Sequence, residues 1–162
     1  SNPDREGRNS SFPFRTLRKL DDGVLKMERK KAILCVDDEL VILFSVVQEL
    51  KRAFGSRFLY EQATDADQAF RSVEELAEEG ISIIFIISDW LMPGMRGDEF
   101  LERIHESHPE ILAIMITGQA DQASIDRVRR NSSVVAIFNK PWDPEELVRV
   151  IEENSNTLTG DR

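Results

Sequence analysis

Ile81-Ser82-Ile83-Ile84-Phe85-Ile86-Ile87-Ser88-Asp89 carries the strongest signal of architecture in the chain. Its run Ile81–Ile87, apolar apart from Ser82, predicts a central strand covered on both faces. Such strands occur in parallel sheets with helices above and below. The run also ends in a carboxylate. Three further apolar runs end in polar, chemically capable residues: Ala32–Val36 in Asp37-Asp38-Glu39, Ile111–Ile116 in Thr117, and Val134–Phe138 in Asn139-Lys140-Pro141.

Helical patterns lie between these runs. Leu40–Phe54 carries apolar residues at 40, 43, 44, 47 and 50, and Gly55 ends it. Phe58–Ala63 alternates more weakly and predicts an edge strand. Asp65 caps a helix running to about Glu79, closed by Gly80. Gly97–His108 and 121–131 are the next two helices. Asp143 caps the last, with Pro144 in its first turn, and it runs to about Asn154. Five βα units result. The expected fold is α/β: a doubly wound, five-stranded parallel sheet with right-handed crossovers and helices on both faces. In such folds ligands bind beyond the carboxyl ends of the strands, where the four polar groups sit.

The 162 residues fit one domain with tails: an N-terminal arm over 1–31, the domain over 32–154 and a C-terminal linker over 155–162. Residues 1–13 read as disordered, and 14–31 as a short helix or docked arm interrupted by Asp21-Asp22-Gly23. Nine Lys or Arg against five Asp or Glu give residues 1–31 a net charge of +4. The whole chain is at −9, so the remainder carries −13. An acidic body argues against nucleic-acid binding, which needs clustered cations. The single cysteine, Cys35, lies inside an apolar run and reads as a buried structural thiol. No run reaches the roughly 20 apolar residues of a membrane span, and a cytoplasmic protein is expected. The chain opens Ser1-Asn2, as a trimmed piece of a longer protein does.

Asp37, Asp38 and Asp89 are expected to lie close together. Carboxylates ~4–5 Å apart repel by roughly 3–4 kcal/mol per pair at an effective dielectric near 20. The site must raise a pKa or recruit a cation. All-oxygen ligands suit Mg²⁺, with Mn²⁺ able to substitute. Asp89 is the candidate nucleophile toward phosphorus. Lys140 and the Thr117 hydroxyl can each meet a phosphoryl oxygen. Taken singly, each end has a plainer reading. Asp37-Asp38-Glu39 can be a helix cap, Asp89 and Thr117-Gly118 turn residues, and Lys140-Pro141 a surface pair.

Ile33–Glu39, Ser88–Met95, Thr117-Gly118 and Lys140-Pro141 together resemble the receiver domain of bacterial two-component response regulators, over roughly residues 32–153. The resemblance implies the flavodoxin-like strand order 2-1-3-4-5. It makes Asp89 the phosphoacceptor, and assigns Mg²⁺ to Asp37, Asp38, Asp89 and the backbone carbonyl of Leu91. Thr117 and Lys140 bind the phosphoryl group, and Phe138 takes the switch-aromatic position. The donor is a phosphohistidine on a sensor histidine kinase or histidine phosphotransfer protein. The surface of helix 121–131, strand 134–138 and helix 143–154 then changes, to be read by an output domain, a partner or a second copy in a homodimer. Leu91 and Gln119 tune dephosphorylation, and the apolar Leu91 predicts a long-lived phosphoryl group. The competing readings are an aspartate-nucleophile phosphohydrolase, an FMN binder of the same topology, and a receiver-like module that is never phosphorylated. The hydrolase wants an acid two residues after the nucleophile, where Leu91 stands. The FMN binder wants a phosphate loop free of carboxylates after the first strand, where Asp37-Asp38-Glu39 stand.

Overall fold

A computed structural model describes residues 15–158. Parallel strands β3 (Lys31–Val36), β4 (Leu59–Ala63), β5 (Ser82–Asp89), β6 (Leu112–Thr117) and β7 (Val134–Asn139) form one sheet in the order β4-β3-β5-β6-β7. Counted from β3, this is the expected 2-1-3-4-5. Helices α1 (Leu40–Phe54), α2 (Ala66–Glu78), α3 (Gly97–Ser107), α4 (Gln122–Arg129) and α5 (Pro144–Leu158) connect the strands or follow the last one.

Alternate residues of β3 divide the core. Ala32, Leu34 and Val36 pack with α2 and α3 residues such as Val73, Leu76, Phe100 and Leu101. Ile33 and Cys35 face the other way, with Leu43, Val47 and Leu50 of α1 and Leu147 and Ile151 of α5. The strand's two-residue period sends successive side chains to opposite layers. β5 lies in the middle of the sheet and is buried from Ile83 to Asp89, as its apolar run requires. Burial pushes the Cys35 thiol up to about 12, which leaves it protonated and inert.

The helix ends follow local chemistry. Asp65 accepts from the Gln68 N–H at 2.7 Å, and Asp121 from the Ser124 N–H at 2.7 Å. Asp143 accepts from the Glu145 N–H at 2.9 Å.

Two expectations needed correction. Residues 15–29 do not form the short helix that was one of the two expectations for this arm. β1 (Arg15–Lys19) and β2 (Leu25–Arg29) pair antiparallel as a hairpin. Asp21-Asp22-Gly23 is its turn rather than an interruption: Gly23 adopts φ 84°, Leu20 and Val24 close the loop at 2.8 Å, and Asp22 accepts from the Val24 N–H. A turn that needs a positive φ, with a carboxylate satisfying the backbone two residues on, favours a hairpin over a helix. At the other end, α5 continues through Leu158. Ser155 is buried and its hydroxyl donates to the Ile151 carbonyl, so the polar stretch stays helical. The expectation of disorder over residues 1–13 lies outside the described residues. Among the described residues, no helix is long and apolar enough to cross a membrane.

Candidate functional site

The order of the sheet reverses between β3 and β5, and their carboxyl ends carry Asp37 and Asp89. This is the switch point where doubly wound sheets leave a crevice. Asp37 stands just past β3, its N–H bonded to the Ala63 carbonyl at 3.1 Å. Its Oδ1 accepts from the Glu39 N–H at 2.8 Å. This bond turns the chain into α1 and fixes the carboxylate. Asp89 is the last residue of β5. Thr117 ends β6 and is buried, with its hydroxyl oxygen accepting from the Gln119 N–H at 3.3 Å. Lys140 follows β7, its N–H held by the Thr117 carbonyl at 3.0 Å.

The side chains converge. Lys140 Nζ lies 3.0 Å from Asp37 Oδ2, 3.4 Å from Asp89 Oδ1 and 3.6 Å from Glu39 Oε1. Carboxylate oxygens of Asp37, Glu39 and Asp89 all fall within 4.8 Å of one another. Above them opens a cavity of about 420 Å³ whose lining includes Asp38, Glu39, Asp89, Leu91, Thr117 and Lys140. Gln119 also lines it. Phe138 stands apart from it, half-buried and packed toward the α1/α5 layer. Asp38 is exposed on the rim, outside the group of three converging carboxylates.

Burial raises the carboxyl of Asp37 above its usual range, only partly offset by the Glu39 N–H and Lys140. Burial likewise raises Asp89, the neighbouring Asp37 charge adds to the rise, and Lys140 opposes it. Lys140 is shifted upward. Burial works against its charge, and the Asp37 bond with the charges of Asp37 and Asp89 outweighs it. Three carboxylates sharing one ammonium make a site short of positive charge. A hard divalent cation with oxygen ligands fits that deficit.

Two contributors escaped the sequence reading. Within the acidic triplet nothing marks Glu39 apart, yet its carboxylate joins the cluster. Gly97 was read only as a helix start. Its N–H donates to the Trp90 carbonyl at 2.7 Å, and a Cβ there would sit 2.0 Å from the Asp89 carbonyl oxygen. A glycine opening a helix eight residues after a functional aspartate is the signal for such a close approach.

A doubly wound five-stranded sheet with this acidic, lysine-bearing switch point is the architecture of a signalling receiver. The response regulator receiver domain pattern matches residues 33–152, and the chain belongs to that family. The chain is 29 % identical over 136 residues to the hydrogenase transcriptional regulatory protein HoxA of Cupriavidus necator, covering 83 % of this chain and 26 % of that protein. The chain thus spans about a quarter of that regulator's length. It is 26 % identical over 131 residues to chemotaxis protein CheY-3 of Vibrio cholerae, covering 78 % of this chain and 95 % of that one. Among solved structures, a CheY-like receiver domain from Methanospirillum hungatei superposes with a TM-score of 0.69 at 28 % identity, over 82 % of this chain and 98 % of that one. The signal receiver domain of an HD-domain protein from Pseudomonas fluorescens gives 0.71 at 27 %, over 82 % and 100 %.

Proposed function

We propose that this receiver is a phosphorylation-dependent switch written at Asp89. One observation carries the reading: Lys140 Nζ stands within 3.4 Å of both Asp37 and Asp89, at the floor of an open cavity also lined by Thr117. An Asp89 carboxylate oxygen attacks phosphorus of a phosphohistidine. The new O–P bond forms as the P–N bond breaks, and its electron pair returns to the imidazole of the donor. Lys140 and the Thr117 hydroxyl take phosphoryl oxygens. Asp37, Asp38, Asp89 and the Leu91 carbonyl would hold Mg²⁺ or Mn²⁺, with the Glu39 carboxylate beside those of Asp37 and Asp89. The metal, when bound, neutralises charge on the transferring group.

The donor is a sensor histidine kinase or a histidine phosphotransfer protein. Its approach is marked by an apolar rim: Leu40, Val41 and Phe44 on the first turns of α1, and Leu91 at the cavity mouth, are all more than half exposed. Exposed apolar groups beside a charged pocket suit a protein donor. The phosphoryl group adds charge and acceptor oxygens at Asp89. Thr117 moves toward it, Phe138 turns inward, and the α4–β7–α5 face shifts population between two states. An output domain, a partner or a second copy reads that face. Leu91 supplies no acid to orient a hydrolytic water, which favours a switch over a hydrolase.

The test is titration with Mg²⁺ and beryllofluoride, following the fluorescence of Trp90 beside Asp89. Trp142, whose indole N–H donates to Glu49 at 2.8 Å, is removed as a reporter by Trp142→Phe. Asp89→Asn must abolish the beryllofluoride response. A normal response in that variant overturns the phosphoacceptor assignment. Sizing with and without beryllofluoride tests the homodimer.

A further inference from the structure

α4 is weakly seated on the sheet. Its eight residues bury Ser124 and Val128, whereas α1, α2 and α3 each bury five. So small an apolar footing leaves the helix dependent on its polar ties.

Those ties run to α3. Arg127 Nη2 donates to Glu102 Oε2 at 2.6 Å, and Nη1 lies 3.8 Å from Asp98 Oδ2. Asp98 is unusual for an acid at a helix start, because its side chain is only 1 % exposed. It is shared by a second cation, with Arg96 Nε 3.3 Å from Oδ1. Hydrogen bonds from Ser124 hold the carboxyl of Asp121, the α4 N-cap, below its usual value, and Arg96 adds a smaller pull. Two cations, one on the loop after Asp89 and one on α4, therefore meet at a single buried carboxylate.

That carboxylate is fixed to the phosphoacceptor. Asp98 follows Gly97, which is bonded to the Trp90 carbonyl at 2.7 Å and leaves no room for a Cβ against Asp89. The backbone of Asp89-Trp90 and the start of α3 are thus in direct contact, joined by a hydrogen bond. A displacement of that backbone moves Asp98, and the arginine on α4 either follows or lets go.

We propose that Arg127 is a positioning residue of the switch, an ionic latch to Asp98 and Glu102 that holds α4 in its resting place and ties it to the backbone of the phosphoacceptor. This link runs through α3, beside the Thr117–Phe138 route. It rests on the receiver reading above, since a phosphoryl group on Asp89 is what works the latch. Arg127 itself stays outside the pocket and touches no phosphoryl oxygen.

Hydrogen exchange on the whole chain tests it, at rest and with Mg²⁺ and beryllofluoride. In Arg127→Ala, amides of residues 122–129 should exchange about tenfold faster at rest, while those of α2 and β5 keep their rates. The beryllofluoride-dependent change in α4 should shrink, with the Trp90 response retained. Arg127→Lys, which keeps the charge but loses the planar fork, should restore part of both. Unchanged resting exchange in α4, or an equal rise across all helices, overturns the latch. Because the resting measurement needs no phosphoryl mimic, it stands even if wild-type Trp90 fails to answer beryllofluoride. That second failure sinks the proposal of a phosphoryl switch at Asp89 instead.

Discussion

Replacing Asp89 by Asn should stabilise the fold, although it removes the centre of the site. Oxygens of Asp89 and Asp37 lie within 4.8 Å of one another, a repulsion of about 3.5 kcal/mol at an effective dielectric near 20. Glu39 repels as well, but its side chain is 63 % exposed, so water screens much of its share. Lys140, 3.4 Å away, returns about 5 kcal/mol on the same scale. These pairwise effects roughly cancel, and burial of the carboxylate decides the sign. The Asp89 carboxyl is raised accordingly. A raised carboxyl makes its ionised form costly in the folded state. That cost is absent below the unfolded value, about 3.9, and fully present above the folded one. Stability is therefore lost as pH rises through this window. Asn is isosteric and neutral, and Lys140 keeps Asp37 at 3.0 Å, so no charge is orphaned. The expected result at pH 7 is a gain in stability, seen as a higher Tm. Thermal or urea unfolding in a chelator, at pH 7 and near pH 3, reads it. The gap should be present at pH 7 and close at low pH. Mg²⁺ should raise the wild-type Tm and narrow the gap from the other side. An Asn variant less stable than wild type at pH 7, or a gap of equal size at both pH values, refutes the electrostatic account.

Four further outcomes follow from other residues. Gly97→Ala places a methyl 2.0 Å from the Asp89 carbonyl oxygen and 2.9 Å from Trp90 Cα; it should cost about 3 kcal/mol or more in urea unfolding and blunt the beryllofluoride response. Gly94→Ala, at φ 85° with open space around it, should cost only about 1 kcal/mol and serves as its control. Asp65→Ala removes the cap bond to the Gln68 N–H, so a loss of about 1 kcal/mol is expected, seen as a lower urea midpoint at unchanged slope. Phosphoryl decay, followed after loading with a small acyl phosphate, should be slow because Leu91 cannot orient water; Leu91→Glu should speed it, and no change there would leave Gln119 in control.

The sheet and its four strand ends are legible along the chain. Both are written in local pattern: a buried parallel strand is a continuous apolar run, and its first polar residue marks the carboxyl edge. Asp65 and Asp143 act as caps for equally local reasons, since each accepts a bond from an N–H two or three residues on. Which carboxylates meet depends on packing across the fold. Asp37, Asp38 and Glu39 are adjacent in the chain, yet the turn made by the Glu39 N–H on Asp37 sends Asp38 to the rim and brings Glu39 to Lys140, 101 residues away in sequence. The same holds for Gly97 against Asp89 and for Arg127 against Asp98. Those contacts depend on how separate elements pack, and no periodicity along the chain encodes a distance across it.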